Sequence, residues 1–439
     1  MTQRNTPIDY SIVNQKLSEI KVDNLAQASI REIKKLVDEI EKATGKKYIR
    51  MEMGIPGLPP SPVGVKAEIE ALNKGVAAIY ADIFGIPSLN KEIQRFIKLF
   101  LDIDVSREAV FPTVGAMQGA FVTFMTVNRM HPGRGKTLFI DPGFPVQKNQ
   151  ITALGQEYFA FDVYHHRGEK LRDKLESYLS TGEVASIIYS NPNNPSWICF
   201  TEEELKIIGE LATKYDVVVI EDLAYFGMDF RKDYSVPGEP PFQPTVAKYT
   251  DNWLLLISSS KIFSYAGQRI GIIAMSDHLF HKKAPGLLQY FSTDEVGYSI
   301  IFGAVYTTTA GVSHSAQHAL AAMLKAVNDG EVKLTDGVKE YGEKAKIMKQ
   351  LFLSNGFQIV YDKDLDEPIA DGFYFTLSYP GMNANQLLKE LLYYGISAIS
   401  LVIAGSELDT GIRACVSLVQ KEEFPVLEER LKQFHQDHG

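Results

Sequence analysis

The chain has 439 residues, of which 45% are hydrophobic and 23% charged, and 54 acidic against 45 basic residues give a net charge of -9. This length and composition predict a globular protein of two domains, and the acidic balance argues against non-specific binding to nucleic acid or to an anionic membrane surface. The two cysteines indicate a reducing compartment, and no metal-type spacing of Cys and His occurs. A polar N-terminus and the lack of an apolar run of membrane-spanning length predict a cytoplasmic protein.

The N-terminal part predicts helices followed by a rigid loop. Over the first 45 residues apolar side chains such as Ile33 and Leu36 recur at helical spacing. A short strand is expected over 48–53, and the Gly- and Pro-rich loop from Gly54 has a fixed path. The loop either joins two elements or closes over a ligand. Tyr80 then precedes a turn, a placement that is also typical of core packing.

The next element is a strand over 110–114 that runs into Gly115 and an apolar helix. A glycine-containing turn at a helix start presents backbone N–H groups and the positive end of the helix dipole. The amides of Ala116, Met117 and Gln118 are therefore candidate donors to a phosphate. The same pattern also suits a plain strand-to-helix turn.

Two turns after buried strands carry rigidly held side chains. Phe144 lies between prolines after the strand that begins at Thr137, and it either packs in the core or stacks on a planar heteroaromatic ring. Two Asn-Pro pairs follow the strand over 186–190 and place Asn194 in a constrained turn. A fixed amide at a strand end can donate to a phenolate oxygen, and a plain loop is the alternative.

A carboxylate ends the next strand, over 216–222, which is apolar enough to be buried on both faces of a parallel sheet. Asp222 then lies at the carboxyl end of its strand, where open α/β sheets bind ligands. A carboxylate there can pair with a protonated pyridine nitrogen, and Tyr225 can hydrogen-bond a phenolic oxygen on the same ring. Glu221 is the competing carboxylate, and a solvated loop is the alternative for each residue.

The strand over 253–257 ends in three serines and Lys261. Beside a buried strand, desolvation and nearby cations lower the pKa of a lysine and free its amine to attack a carbonyl, although most lysines are simply exposed. Ser258 before the lysine and Arg269 eight residues after it can together hold an anion such as phosphate.

The C-terminal third predicts a second domain. A Pro-, Gly- and charge-rich surface excursion over 231–252 precedes the lysine segment, and a long charged helix is expected over 331–355. The alternating pattern over 372–378 predicts an antiparallel strand. Arg413 lies in another strand, where a buried arginine is costly unless it meets an anion such as a carboxylate.

Taken in order, these segments resemble the class I/II aminotransferases, which bind pyridoxal 5'-phosphate (PLP). The resemblance rests on the segment around Lys261 and on Asn-Pro-Asn-Asn-Pro over 191–195, which is similar to the family's Asn-Pro-x-Asn-Pro-Thr-Gly signature, and it extends from about Tyr80 to Arg413. The chain departs from the family at 196–197, where Ser-Trp replaces the usual Thr-Gly, and its phosphate turn lacks the hydroxyl side chain that the family often has.

The resemblance implies a role for each candidate residue. Lys261 is expected to be the Schiff-base lysine, Asp222 the partner of the pyridine nitrogen, and Arg413 the anchor of the substrate α-carboxylate. Tyr80 is expected to reach the PLP phosphate of a neighbouring subunit, and the loop at Gly54 to close beside the substrate, where Asn194 also binds. The remaining residues expected to bind PLP are Ala116, Met117, Gln118, Phe144, Asn194, Tyr225, Ser258 and Arg269. Tyr225 is also expected to be catalytic, together with Lys261 and Asp222.

The implied fold is α/β, with a large domain whose mostly parallel sheet is covered by helices, as in aspartate aminotransferase, and a smaller α+β domain. The expected boundaries are 1–60 for an N-terminal segment that contributes to the small domain, 61–325 for the large PLP-binding domain and 326–439 for the C-terminal small domain. The resemblance also implies a homodimer with active sites at its interface, with no metal, nucleic-acid or membrane partner.

The expected reaction is transfer of an amino group from an L-amino acid to a 2-oxo acid, with Lys261 moving a proton between Cα and the cofactor. A PLP-dependent lyase or synthase that works by β- or γ-elimination at the same site is the alternative. A third interpretation is the ligand-sensing domain of a transcription regulator, but that class needs an attached DNA-binding domain, and only about 45 residues precede the first strand.

The expected substrate range depends on whether the chain has a second arginine for the distal carboxylate of a dicarboxylic substrate. Family members that take aspartate or glutamate by the best-known route use a second arginine, from the segment after the Schiff-base lysine, for the distal carboxylate. No arginine occurs between Arg269 and Arg413, and the nearest cations are Lys282 and Lys283. The sequence therefore predicts a preference for neutral or aromatic amino donors, with Arg50 as the remaining candidate for a distal carboxylate.

Overall fold

The computed structural model describes residues 5–439, and the chain divides into two compact units. The larger unit comprises residues 58–193 and 199–338. The smaller unit comprises the N-terminal segment up to Gly57, residues 194–198 and residues 339–439. The chain therefore passes from one unit to the other inside the turn that holds the two Asn-Pro pairs.

The larger unit is built on a seven-stranded sheet. Gly271–Met275 runs antiparallel to both of its neighbours, and the other neighbouring pairs are parallel. The prediction of a mostly parallel α/β sheet is thus confirmed. In spatial order the strands are Val110–Thr113, Gly271–Met275, Trp253–Ser258, Val218–Leu223, Val184–Ser190, Lys136–Asp141 and Tyr158–Asp162.

Apolar residues on both faces of this sheet require helices to cover them. Val218–Leu223 and Trp253–Ser258 are buried along their whole length, and Phe124 of the helix after Gly115 shares their core cluster. A π-helix, Ser299–Val305, belongs to the same cluster. The helices of the larger unit are Pro62–Asn73, Pro87–Leu101, Gly115–Val127, Pro145–Ala153, Lys170–Leu179, Glu202–Tyr215, Ser259–Ile262, Asp277–His281, Val296–Tyr298, Tyr306–Thr309 and His314–Asn328.

The smaller unit combines helices with short strands. Its antiparallel four-stranded sheet has the order Ile399–Ser400, Ile412–Cys415, Tyr374–Ser378 and Gln358–Ile359. Two further pairs are the parallel Ile49–Arg50 with Ile396–Ser397, and the antiparallel Lys363–Asp364 with Glu367–Pro368. Its helices are Tyr10–Ile20, Ile30–Thr44, Lys339–Leu353, Ala384–Tyr393 and Phe424–His438.

Across residues 5–439, the helices are too short or too polar for any of them to traverse a lipid bilayer. The same part of the chain contains no cluster of three or more His, Cys, Asp or Glu side chains that suits a metal ion. Cys199 and Cys415 are both thiols.

Candidate functional site

Lys261 follows directly on the central strand Trp253–Ser258, in a short helix whose start is fixed by serines. Ser258 caps this helix, because its Oγ accepts a hydrogen bond from the Ser260 amide at 3.2 Å. Ser259 Oγ donates to the carbonyl of Ile270 at 2.6 Å and so ties the segment to the chain that follows it. The Lys261 side chain is half-buried. The serines before the lysine therefore fix the short helix that carries Lys261.

Asp222 ends the neighbouring strand and is only 7% exposed. Its Oδ2 accepts a hydrogen bond from Gln147 Nε2 at 2.8 Å, and its Oδ1 accepts one from the Ala224 amide at 3.1 Å. Burial raises the pKa of Asp222 to about 6, although these hydrogen bonds and the positive charge of Lys261 oppose the rise. Asp222 is thus a buried acid whose charge interacts with Lys261.

Glu221, the competing carboxyl, is completely buried in a different set of contacts. It accepts hydrogen bonds from Thr245 Oγ1 at 2.6 Å, from the Val246 amide at 3.2 Å and from the Tyr189 hydroxyl at 3.2 Å. Burial raises its pKa to about 7. Successive side chains of a strand point to opposite faces of the sheet, so Glu221 and Asp222 serve different environments.

The turn at Gly115 brings a helix start next to a guanidinium. Gly115 has φ +68°, and a Cβ on it would come within 2.7 Å of Nη2 of Arg269. A Cβ on Gly271 would lie 2.9 Å from the Ala116 nitrogen, so this glycine lets the helix start approach the strand that begins there. The N-cap residue of the helix Gly115–Val127 is Val114, whose side chain makes no hydrogen bond to the first amides of the helix. The first amides of this helix and the Arg269 guanidinium are therefore the candidate donors of an anion cradle.

The predicted donors Ala116, Met117 and Gln118 lie in the first turn of this helix and are half-buried. The Gln118 side chain folds back, because its Oε1 accepts a hydrogen bond from the Val114 amide at 2.7 Å. Its Nε2 donates to the hydroxyls of two threonines at 2.9 and 2.7 Å, and these are Thr308 and Thr309. Gln118 therefore also joins the turn to the chain after the π-helix.

Two aromatic residues of the larger unit follow strands of the sheet that holds Asp222. Phe144 is half-buried at the start of the helix Pro145–Ala153, one helical turn before Gln147. Tyr225 is buried three residues after Asp222. Both therefore follow the carboxyl ends of strands in the same sheet as Asp222, as the sequence predicts.

Tyr80 differs from the other candidates, because it is 93% exposed. The chain on either side of it is held by the helix His314–Asn328. Nδ1 of His314 hydrogen-bonds the Ile79 carbonyl at 3.1 Å, and Oε1 of Gln317 accepts from the Ile86 amide at 2.8 Å. A fixed backbone thus presents Tyr80 to the outside of this chain.

In the smaller unit Arg413 is almost fully buried, in the strand Ile412–Cys415. Its Nη2 donates to the Glu52 carbonyl at 2.6 Å and its Nη1 to Oδ1 of Asn194 at 3.4 Å. Its Cζ lies 4.5 Å from the centroid of the Tyr374 ring. Arg413 Nε is buried and has no hydrogen-bond partner among residues 5–439. A guanidinium with an open N–H donor suits an anionic ligand.

The loop after Glu52 packs closely on the smaller unit. A Cβ on Gly54 would lie 2.1 Å from the Tyr374 hydroxyl, and a Cβ on Gly57 would lie 1.8 Å from the Ser417 carbonyl oxygen. The Gly57 amide donates to the Tyr341 hydroxyl at 3.1 Å. Only glycine allows these approaches, so the composition of the loop is explained by packing.

Arg50, the remaining candidate for a distal carboxylate, is occupied by acids of its own unit. Its Nε and Nη2 donate to Oε1 of Glu52 at 2.8 and 2.6 Å, and its Nη1 donates to Oδ1 of Asp38 at 2.6 Å. Lys282 likewise forms an ion pair with Asp216. Both cations therefore already have carboxylate partners within this chain.

The candidates fall into two groups. The larger unit holds Lys261 and the residues expected around PLP except Asn194. The smaller unit holds Asn194 together with Arg413 and Gly54. Sequence reasoning missed Gln147 and Tyr374. Tyr374 is identified only by the sheet register, because Thr376 pairs with Arg413 and the residue two before it lies diagonally on the same face. The sequence marks neither Tyr374 nor Gln147.

Comparison with known proteins gives one consistent family. A sequence model of the family described as aminotransferase class I and II matches residues 15–431. The chain is 26% identical over 266 residues to a probable aspartate aminotransferase of Methanocaldococcus jannaschii, covering 58% of this chain and 62% of that protein. It is 26% identical over 249 residues to an S-alkyl-thiohydroximate lyase of Arabidopsis thaliana, covering 55% and 51%. These matches span less than two thirds of either relative.

The fold is similar to that of solved aminotransferases over a larger share of the chain. Superposition on the crystal structure of aspartate aminotransferase from Thermotoga maritima gives a TM-score of 0.74 at 19% identity. It covers 96% of this chain and 99% of that one.

Proposed function

The chain belongs to the aminotransferase class I and II family, and from this premise we propose that it transfers an amino group from an L-amino acid to a 2-oxo acid with PLP as cofactor. The observation that carries the proposal is the buried carboxyl of Asp222, which ends a central strand and interacts with the charge of Lys261. A buried acid beside a lysine at the carboxyl end of a parallel sheet is the arrangement that a pyridine cofactor requires.

The residues of the larger unit fit the chemical groups of PLP. The carboxyl of Asp222 suits a protonated pyridine nitrogen, and the Lys261 amine suits an aldehyde carbon. The helix start after Gly115, together with Arg269, suits a phosphate. Gly115 keeps that cradle open, since a Cβ there would fall within 2.7 Å of the guanidinium. The expected stacking of Phe144 on the ring and the hydrogen bond from Tyr225 are part of the same proposal.

Each residue then has a chemical task. Bound PLP supplies an electron sink for the negative charge that develops at the substrate Cα. Lys261 would take the proton from Cα as general base and deliver it to the cofactor carbon as general acid. A positive charge next to Asp222 lowers its pKa again, so the carboxylate stays ionised and holds a proton on the pyridine nitrogen. Arg413 binds the α-carboxylate through its N–H donors, and Asn194 fixes the guanidinium.

Lysine variants test this proposal. The holoprotein is treated with borohydride, and the lysine that carries the reduced cofactor is mapped by mass spectrometry. We expect the cofactor on Lys261, no trapped cofactor in Lys261→Ala, and full trapping in the matched exposed control Lys283→Ala. Trapping on any other lysine would refute the assignment.

The type of reaction is tested separately. A panel of amino acids and 2-oxo acids is mixed with the holoprotein, and the cofactor spectrum is followed in a single turnover. Transfer predicts a spectral change with the amino acid that a 2-oxo acid reverses. Release of ammonia without any 2-oxo acid indicates elimination instead, the activity suggested by the lyase name of one relative.

A homodimer with shared active sites is part of the proposal. The exposure of Tyr80 supports it, because a tyrosine on a fixed backbone is available to the phosphate cradle of a second copy. Its neighbour Ile79 is 61% exposed, and Ile69 and Leu72 of the helix Pro62–Asn73 are exposed as well. Exposed apolar side chains of this kind are typical of a surface that is covered by another subunit.

The low cysteine content supports a cytoplasmic location.

A further inference from the structure

Trp197 has an unusual backbone for its residue type. Its φ is +64°, in the left-handed region that glycine adopts readily and that a bulky residue adopts only at a free-energy cost. It stands where the related Asn-Pro signature usually has Gly, and its side chain is completely buried. A costly backbone persists when the surrounding structure over-determines it, and such residues concentrate at functional sites.

The packing around Trp197 is specific. A Cβ on Gly372 would lie 2.0 Å from Cε2 of the indole, so the ring lies directly against the backbone of this glycine. The indole meets the Tyr374 ring edge-on, with centroids 6.0 Å apart and planes at 70°. This is a favoured geometry for an aromatic pair, because the positive edge of one ring faces the negative face of the other.

The Tyr374 ring in turn covers the guanidinium of Arg413. The Arg413 Cζ lies 4.5 Å from the ring centroid, within the range of a cation–π interaction. On its other side the Tyr374 hydroxyl lies against Gly54, where a Cβ would come within 2.1 Å. Trp197, Tyr374 and Arg413 thus form a stack, hereafter the aromatic stack, within the smaller unit.

The aromatic stack compensates the buried positive charge of Arg413. A buried guanidinium needs compensation, and carboxylate partners would use the same N–H donors that a ligand needs. A ring over the guanidinium face compensates the charge and leaves the in-plane donors available. In agreement, Arg413 Nε has no hydrogen-bond partner among residues 5–439, and its two Nη contacts are to neutral oxygens of Glu52 and Asn194.

We propose that Trp197 and Tyr374 are positioning residues that hold Arg413 ready for the α-carboxylate, so that the aromatic stack determines how tightly this chain binds carboxylate substrates. This inference rests on the proposed function, because it takes Arg413 as the carboxylate anchor. It goes beyond that function in giving a role to the Trp at the position where the family signature has Gly.

The experiment compares two probes in the holoprotein by titration calorimetry: 3-phenylpropanoate, which carries a carboxylate, and 3-phenylpropanamide, its neutral counterpart. We expect the parent to prefer the carboxylate and Arg413→Lys to lose most of that preference, since lysine lacks the bidentate fork. Tyr374→Leu removes the ring and should weaken the carboxylate about tenfold while the amide changes little. Tyr374→Phe keeps the ring and should bind as the parent does.

Trp197 is tested by Trp197→Gly, which restores the family residue and relieves the backbone, and by the conservative Trp197→Phe. We expect weaker carboxylate binding in Trp197→Gly and substantial rescue in Trp197→Phe. In turnover, both Tyr374→Leu and Trp197→Gly should raise KM with little change in kcat, as expected for loss of binding that substrate and transition state share.

The outcomes distinguish failure of the Arg413 anchor from failure of the positioning role of Trp197 and Tyr374. A parent that shows no Arg413-dependent preference for the carboxylate would refute the proposed anchor, and the inference with it. A preference that depends on Arg413 but survives in both Tyr374→Leu and Trp197→Gly would overturn the inference alone, and the two aromatics would then be packing residues. If one of the two truncations fails to fold, the other still decides the outcome, and Tyr374→Phe and Trp197→Phe show whether the effect belongs to the aromatic ring.

Discussion

Gln147 donates a hydrogen bond of 2.8 Å to Oδ2 of Asp222, and both side chains are buried at the carboxyl end of the central sheet. The hydrogen bond orients the carboxyl and favours its charged form, against the effect of burial. Glu221, one residue earlier, is equally buried but is satisfied by Thr245 and Tyr189. This difference in partners is the reason for proposing Asp222, and not Glu221, as the partner of the pyridine nitrogen.

Asp222→Asn should therefore reduce turnover by about two orders of magnitude or more, the range in which a positioned acid or base contributes. The amide fills the same space but cannot carry the charge that holds a proton on the pyridine nitrogen. Glu221→Gln is the matched control and should keep turnover near that of the parent. The measurement is kcat for a single amino donor in all three proteins. Near-normal turnover in Asp222→Asn, with loss in Glu221→Gln, would reverse the assignment.

The two carboxyls also predict the pH dependence of stability. Burial holds the pKa of Glu221 at about 7, above its value of about 4.3 in an unfolded chain. The folded state therefore keeps a proton that the unfolded state has lost. The stabilisation from this group is complete below about pH 4 and is lost as the pH rises through 7. Asp222 acts in the same direction up to about pH 6.

Glu221→Gln removes this titration. The quantity to follow is the free energy of unfolding of Glu221→Gln minus that of the parent apoprotein. This difference should increase by about 3 kcal/mol as the pH rises from about 4.5 to 7 and then stay level. Urea unfolding at pH 5, 6, 7 and 8 measures the difference. A constant difference across this range would mean that Glu221 is already ionised at pH 5.

The sequence predicted the elements better than the contacts between them. The pattern Thr201-x-x-Glu204 predicts a capped helix, and the structure confirms both hydrogen bonds of that capping box. Arg413 lies in a strand as expected. Local pattern decides such features, because cap and strand signals lie within a few residues of one another.

The structure differs from the sequence predictions at the bounds of two elements and in one contact between strands. The helix expected over 331–355 begins only at Lys339. The residues just before it, which include Asp336 and Gly337, form turns, and Asp and Gly both favour turns. The strand expected over 48–53 is limited to Ile49–Arg50. The contact of Tyr374 with Arg413 depends on the register of two strands about 40 residues apart, which periodicity does not determine.

Two glycines of the lysine segment offer a matched test of the phosphate cradle. A Cβ on Gly271 would meet the Ala116 nitrogen at 2.9 Å and the Ile257 carbonyl oxygen at 3.0 Å, whereas a Cβ on Gly267 would meet nothing within 4 Å. Gly271→Ala should push the helix start away from Arg269 and weaken PLP binding about tenfold or more. Gly267→Ala should bind PLP as the parent does. Fluorescence titration of the apoproteins with PLP gives both dissociation constants, and equal weakening in the two variants would contradict the cradle.

The ion pairs of Arg50 argue against its binding the distal carboxylate of a substrate. Because Asp38 and Glu52 already engage its guanidinium, we expect neutral and aromatic donors to have higher kcat/KM than aspartate or glutamate. Arg50→Ala should leave that ratio unchanged and lower the free energy of unfolding by about 3 kcal/mol, since it leaves Glu52 buried without its cation. The exposed Arg31 serves as control, and Arg31→Ala should change neither quantity. A parent preference for aspartate or glutamate that disappears in Arg50→Ala would sink this prediction.

The exposure of Tyr80 leads to a prediction about two chains at once. If Tyr80 serves the site of the neighbouring subunit, a dimer of one Lys261→Ala chain and one Tyr80→Ala chain contains one intact site, built from the native Lys261 of one chain and the native Tyr80 of the other. Random exchange in an equal mixture makes about half of the dimers mixed, so about a quarter of all sites should be native. The mixture should therefore exceed the average activity of its two components.

The measurement is kcat/KM at a PLP concentration that saturates the parent but not Tyr80→Ala, before and after the chains are exchanged through mild urea and dialysis. Tyr80→Ala should fold normally, because the side chain is 93% exposed and makes little contact within its own chain. Its own defect should be weaker PLP binding, through the loss of a phosphate contact. The matched control mixes Lys261→Ala with Asp222→Asn, two changes that belong to the same site of one chain. In a mixed dimer of these variants one site lacks the native Lys261 and the other lacks the native Asp222, so exchange creates no native site and no recovery of activity. Recovery with Tyr80→Ala and none with Asp222→Asn supports a shared site, and equal behaviour of the two mixtures means that Tyr80 has no role in the partner's site.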